Sequence, residues 1–177
     1  QALYQIGLVR LDDSDFAAAE SLFNEGLGLI QGSGDKQVMA LLLNGLGESA
    51  RSREDFTLAA ELYRKALGYN RQAGDRVRQT TNLINLGVTA LSQNDFDKAA
   101  EFYKEGLEIS SGMADMNGSI YCLEGLAATY WTNKDPERAA VLFGAASAAR
   151  SANNLLLEPA DRVPHDRSIE RLRGLLA

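Results

Sequence analysis

Apolar and small residues return along this chain every three or four positions, the spacing that lays one buried stripe along a helix. Leu3, Ile6, Gly7 and Arg10 occupy the i, i+3, i+4 and i+7 places of such a stripe. Leu43, Leu46, Gly47 and Ala50 occupy the same places 40 residues later, and Leu83, Leu86, Gly87 and then Leu123, Leu126, Ala127 continue the series. A second stripe follows each first one: Ala19, Ala59, Ala99 and Ala139, then Phe23, Tyr63, Tyr103 and Phe143, then Gly26, Ala66, Gly106 and Ala146. Small residues in two of these columns let helix backbones approach closely, and the aromatic ring fills the space beside them.

The boundaries recur as well. Asp15, Asp55, Asp95 and Asp135 stand between the stripes, where a carboxylate can accept from the free N–H groups of a first helical turn. Pro136 then takes the first helical position, where its missing N–H costs nothing. Gly34-Asp35 and Gly74-Asp75 pair a helix-ending glycine with a helix-starting aspartate; the third unit keeps Asp115, and the fourth, at Asn154-Leu155, loses the signal. The pattern predicts eight helices near 2–12, 15–32, 36–52, 55–72, 76–92, 95–111, 115–132 and 135–152. They pair into four hairpin units over about 1–34, 35–74, 75–114 and 115–153, an all-α right-handed superhelix with a 40-residue period. Residues 154–177 are expected to form a linker holding Pro159 and a C-terminal capping helix from Pro164, with Ile169, Leu172, Leu175 and Leu176 on one side.

These columns resemble the tetratricopeptide repeat, whose pattern runs W-x2-L-G-x2-Y and then A-x3-F. The second unit reads Leu43-x2-Leu46-Gly47-x2-Ala50, then Ala59-x3-Tyr63; leucine stands for the tryptophan throughout, and the tyrosine column survives as Tyr130. The period exceeds the usual 34, and the six extra residues fall between the second helix of one unit and the first of the next, which implies longer helices. A narrower likeness lies in Ser119-Ile120-Tyr121-Cys122-Leu123-Glu124-Gly125-Leu126-Ala127 and in the run from Pro136 to Ala146. It resembles the C-terminal repeat region of bacterial ATPase-type transcriptional regulators of the LuxR and AfsR kinds. That resemblance implies a sensor or partner-binding arm, with nucleotide- and DNA-binding domains elsewhere in a longer chain. A first residue of Gln1 already in a helical pattern fits such a fragment.

In a solenoid of paired helices, the first helix of each pair lines the concave face. At about 100° per residue, places 1, 4, 8 and 11 of that helix point about 130° away from the stripe, toward the groove. They hold Tyr4, Leu8 and Leu11; Leu41, Asn44, Glu48 and Arg51; Thr81, Ile84, Val88 and Leu91; Tyr121, Glu124, Ala128 and Trp131. The expected binding strip is therefore apolar for a surface. Tyr4, Leu8, Leu41, Ile84, Val88, Tyr121 and Trp131 would hold a protein, a peptide or a small ligand with a ring, and Asn44, Glu48, Arg51, Asn85 and Glu124 would orient it. The same apolar residues also suit packing between neighbouring helices. The alternative is a self-association scaffold, a homodimer formed through the apolar groove or the C-terminal helix.

Composition narrows this reading. A net charge of −6 disfavours direct binding of nucleic acid through this segment. No apolar run approaches the ~20 residues needed to cross a bilayer. The single cysteine, Cys122, fits a reducing compartment, so a cytoplasmic location is expected. No enzyme, metal or cofactor signature emerges. The lone histidine, His165, leaves no His-based triad or multi-His site, and carboxylate pairs such as Asp12-Asp13 and Glu54-Asp55 sit at helix ends, where capping and solvation explain them. Gly26-Leu27-Gly28 and Gly45-Leu46-Gly47 lie inside helices without a preceding strand, so they read as packing glycines, not phosphate loops.

Overall fold

The computed structural model describes residues 2–155; Gln1 and residues 156–177, and with them the expected capping helix, lie outside the described residues. Eight helices follow in order: α1 (Ala2–Asp12), α2 (Phe16–Ile30), α3 (Lys36–Ser52), α4 (Phe56–Ala73), α5 (Arg76–Ser92), α6 (Phe96–Ser111), α7 (Met116–Thr132) and α8 (Pro136–Ala152). They form four hairpins stacked in sequence order. Each helix packs on the next, α1 also reaches α3, and α5 reaches α7, so the first helices form an inner layer. The six helices from α3 to α8 run 16–18 residues each, in keeping with the lengthening read from the period.

The corners explain why the boundaries were so regular. In all seven helices after α1, the capping Asp accepts from the backbone N–H three residues on, at 3.0–3.2 Å. At six of the seven corners the Asp N–H in turn reaches back five residues, as from Asp55 to the Ala50 carbonyl at 2.9 Å and from Asp95 to the Ala90 carbonyl at 2.9 Å, whereas the Asp35 N–H donates to Ser33 Oγ at 3.2 Å. Closing that loop requires a left-handed residue just before the Asp. Gly34 and Gly74 supply it at φ 68° and 70°, but Ser14, Glu54, Asn94, Ala114 and Lys134 adopt it without being glycine. The Asp bonds at both sides of the corner hold these strained residues in place.

The aromatic column locks the hairpins together. The Phe23 ring sits between Gly7 of its own hairpin and Gly45 of the next; a Cβ on either would lie 2.3 or 2.7 Å from the ring. Tyr103 is trapped in the same way between Gly87 and Gly125, at 2.6 and 2.2 Å. Between the second and third hairpins Asn85 stands where this second glycine would be, and the Tyr63 ring meets Gly47 alone of the pair. The first helices are thus buried on two sides. Besides the expected Leu46, Leu86 and Leu126, the structure buries Leu42, Asn82 and Cys122, and Ser49, Thr89 and Thr129.

The first unit departs from the expectation. Ile6 is 47% exposed and Arg10 is also exposed, although both were read as stripe residues, and Val9 is 57% exposed. Their counterparts are buried only because a preceding hairpin covers that side, and among the described residues none covers α1.

Candidate functional site

On the inner layer the side chains fall into three groups along the array. The first is a niche of about 390 Å³ where α1, α3 and α5 meet. Tyr4 and Leu8 from α1 and Leu41 from α3 give its apolar walls, and Asn44, Arg78 and Asn82 its polar ones. Tyr4 is held by a tilted contact with Phe23, ring centroids 5.9 Å apart. Burial pushes its phenol up, partly opposed by the charge of Arg78. Tyr4 and Arg78 therefore face each other across the niche from the first and third hairpins.

A chain of amides underlies this niche. Asn70, at the end of α4, donates Nδ2 to Asn82 Oδ1 at 2.6 Å. Asn82 donates Nδ2 to Asn44 Oδ1 at 2.8 Å, and Asn85 donates to the same oxygen at 3.1 Å. Asn70 and Asn82 are 2% and 1% exposed, and Asn70 Oδ1 is buried without a hydrogen-bond partner. The equivalent layer between the first two hairpins holds Ile30, Leu42 and Tyr4, so this polar layer belongs to one junction of the array.

The second group is Glu48, Arg51 and Tyr63. Glu48 Oε2 accepts from the Tyr63 hydroxyl at 2.9 Å and from Arg51 Nε at 3.3 Å, and a second, short bond joins Arg51 Nη2 to Oε1. The Glu48 bond raises the Arg51 pKa against the opposing effect of burial. The Tyr63 phenol is pushed well above its ordinary value, by burial first and then by the Glu48 charge. Both charges are thus matched within the protein.

The third group lies on the last hairpin. Glu124 accepts from Arg150 Nη2 at 2.8 Å, and the Arg150 guanidinium lies 5.9 Å from the Tyr121 ring centre. Arg150 is 8% exposed and its Nε is buried without a hydrogen-bond partner. Tyr121 and Trp131 are 41% and 37% exposed. Between the first and third groups, Ile84 and Val88 are half-buried and pack against the cluster around Ala90, Tyr103 and Leu126.

The structure thus gathers Tyr4, Leu8, Leu41 and Asn44 in one niche with Asn85 bonded beside it, pairs Glu48 with Arg51, and sets Tyr121 beside Glu124. Asn70, Asn82 and Arg78 are participants that periodicity missed. Asn70 and Asn82 occupy places that hold Ile30 and Leu42 one unit earlier, and a polar residue at such a place was the available signal. Arg78 lies one turn before Thr81, outside the span of places read as groove.

Among the described residues no helix is long and apolar enough to cross a membrane, and no group of three or more His, Cys, Asp or Glu could hold a metal ion. Cys122 is buried, and burial, then the charge of Asp115, pushes its thiol up to about 12, unlike a reactive nucleophile.

Residues 37–111 match a family model described as tetratricopeptide repeat. Among solved structures, BtubC (BKLC) from P. vanneervenii is 23% identical with a TM-score of 0.84, covering 97% of this chain and 70% of that chain. The MamA protein is 19% identical with a TM-score of 0.64, covering 89% and 78%. A Podosopora anserina putative kinesin light chain with nearly identical TPR-like repeats is 11% identical with a TM-score of 0.73, covering 98% and 92%. At these identities the likeness is one of fold: a tetratricopeptide-type solenoid. A search of curated proteins finds no match. Tetratricopeptide repeats serve in general as non-catalytic modules that bind protein or peptide partners.

Proposed function

We propose that the inner face from Tyr4 to Trp131 is a docking groove for an apolar, largely uncharged peptide segment of a partner protein. The observation that carries this is the pairing of its charges. Glu48 with Arg51, Glu124 with Arg150 and Arg78 with Asp75 are each matched within the chain. What remains for a partner is partly exposed apolar surface at Leu41, Ile84, Val88, Tyr121 and Trp131. Drawing Glu124 or Arg150 away from the other to meet a charged ligand would leave a largely buried charge unmatched, which disfavours strongly charged ligands at that end of the groove. The resemblance of residues 119–127 and 136–146 to LuxR- and AfsR-type regulators supports a place as the partner-binding arm of a larger bacterial transcriptional regulator. The negative net charge supports contact with protein in preference to nucleic acid.

A displayed random-peptide library selected on the immobilised chain tests the groove. Selected peptides are expected to change Trp131 fluorescence. Val88→Glu and Trp131→Ala should weaken them about tenfold or more, while Val141→Glu on the outer helix α8 leaves them unchanged. Peptides that bind all three variants as they bind the unmodified chain would sink the groove reading. Sequencing the parent gene tests the wider context, which requires a nucleotide-binding domain in the same chain.

A further inference from the structure

The junctions between hairpins share one arrangement, and the second departs from it. At the first and third, glycines of two first helices clamp a ring, Gly7 and Gly45 about Phe23 and Gly87 and Gly125 about Tyr103. There α1 and α3 come close together, as do α5 and α7. At the second junction Asn85 takes the place of Gly45 and Gly125, and α3 and α5 approach less closely. The adjoining layer changes with it. Ile30 packs on the cluster of Leu42 at the first junction, whereas Asn70 and Asn82 hold those places at the second. Asn70 donates to Asn82 at 2.6 Å, and Asn82 and Asn85 both donate to the Asn44 carboxamide oxygen. The niche of about 390 Å³ opens beside this layer.

The two sides of the second junction therefore differ in what displacement costs. On the outer side Ala60, Tyr63, Leu67, Leu83 and Leu86 hold α4 on α5, and parting them would return apolar surface to water. On the inner side α5 meets α3 through amides, whose hydrogen bonds exchange for bonds to water at small net cost. With the layer closed, Asn70 Oδ1 is buried with no hydrogen-bond partner among the described residues, and opening would hydrate it. At the clamped junctions, opening uncovers a ring and closing drives it into backbone, so neither has this freedom.

We propose that the second junction is a hinge. Residues 2–73 and 76–155 turn as two blocks about the α4–α5 cluster, and the amide layer opens and closes on the inner side. The Tyr63 hydroxyl, bonded to Glu48 of its own hairpin at 2.9 Å, keeps that ring with the first block. Turning changes the separation of Leu41, in the first block, from Ile84 and Tyr121, in the second, and so sets the width of the inner face. The hinge rests on packing alone and does not require that the inner face take a peptide.

Asp12, Ser52, Ser92 and Thr132 are exposed and end α1, α3, α5 and α7. Cysteines placed there two at a time carry nitroxide labels, whose separation is read by pulsed electron paramagnetic resonance. Cys122 is fully buried and escapes brief labelling of the native chain. The pair Ser52→Cys and Ser92→Cys spans the hinge. Its distance distribution should be about twofold wider than those of the pairs at Asp12 and Ser52 and at Ser92 and Thr132. Three equal widths, all narrow or all broad, would overturn the proposal. Asn70→Ile, Asn82→Leu and Asn85→Gly together rebuild the second junction after the first, and should bring the hinge pair to the width of the other two. A hinge pair as wide as before in that chain, folded by circular dichroism, would also overturn it. The three widths are first compared without any change to the core, so a triple variant that fails to fold leaves that comparison decisive.

Discussion

Replacing Gly87 with alanine tests the central packing device of the array. In an isolated helix the change gains about 1 kcal/mol, because glycine loses more backbone entropy on ordering. Here the new Cβ would lie 2.6 Å from Tyr103 Cζ, and the ring is 2% exposed. The ring cannot retreat, since its other side lies against Gly125, where a Cβ would come within 2.2 Å. Either the ring leaves its rotamer or the third and fourth hairpins separate. Overpacking of this kind costs about 1–3 kcal/mol, enough to cancel the helical gain and leave a net loss of up to about 2 kcal/mol. Gly68 in α4 is the control, because nothing lies within 4 Å of a Cβ added there. Gly68→Ala should therefore stabilise by about 1 kcal/mol. Urea unfolding followed by far-ultraviolet circular dichroism separates the two if the slope is unchanged. In thermal melts each kcal/mol should appear as about 2–4 °C for a chain of this size. A Gly87→Ala chain as stable as Gly68→Ala would refute the trapped-ring argument.

Other expectations follow from the corners and the core. Asp75→Ala should cost about 1 kcal/mol through loss of the α5 cap. Burial opposes ionisation of Asp75, but the bonds from the Arg78 backbone and guanidinium prevail and hold its carboxyl below the ordinary range. Its contribution is thus complete above the unfolded aspartate value and is lost as pH falls through the lower folded value, so urea midpoints of the two chains should converge in acid. Glu54 holds φ at 62°, so Glu54→Gly should relieve left-handed strain and, after the added freedom of the unfolded chain, stabilise by about 0.5 kcal/mol; a fall in the urea midpoint would count against this. Cys122 is fully buried, and a thiol reagent should label it only as fast as the protein opens. A native-state rate approaching that of the urea-unfolded chain at the same reagent concentration would contradict that burial.

The sequence by itself determined the helices, their pairing, their caps and the ring-and-glycine columns, because each is local. Helical periodicity, an N-cap three residues from its N–H, and a repeat of 40 are legible wherever neighbours along the chain set the geometry. Tertiary structure decided which helix faces are buried twice. Asn82 and Ser49 look like surface residues from their own helices, yet they are 1% and 0% exposed because the preceding hairpin closes over them. Ile6 looks like core and is 47% exposed for want of the same cover. The amides of the niche belong to this second class. Asn44, Asn70, Asn82 and Asn85 are brought together across three helices, and no periodicity within one helix records a hydrogen bond between residues 38 or 41 apart. The direction in which Asn44 presents its N–H depends on bonds that exist only once the hairpins have stacked.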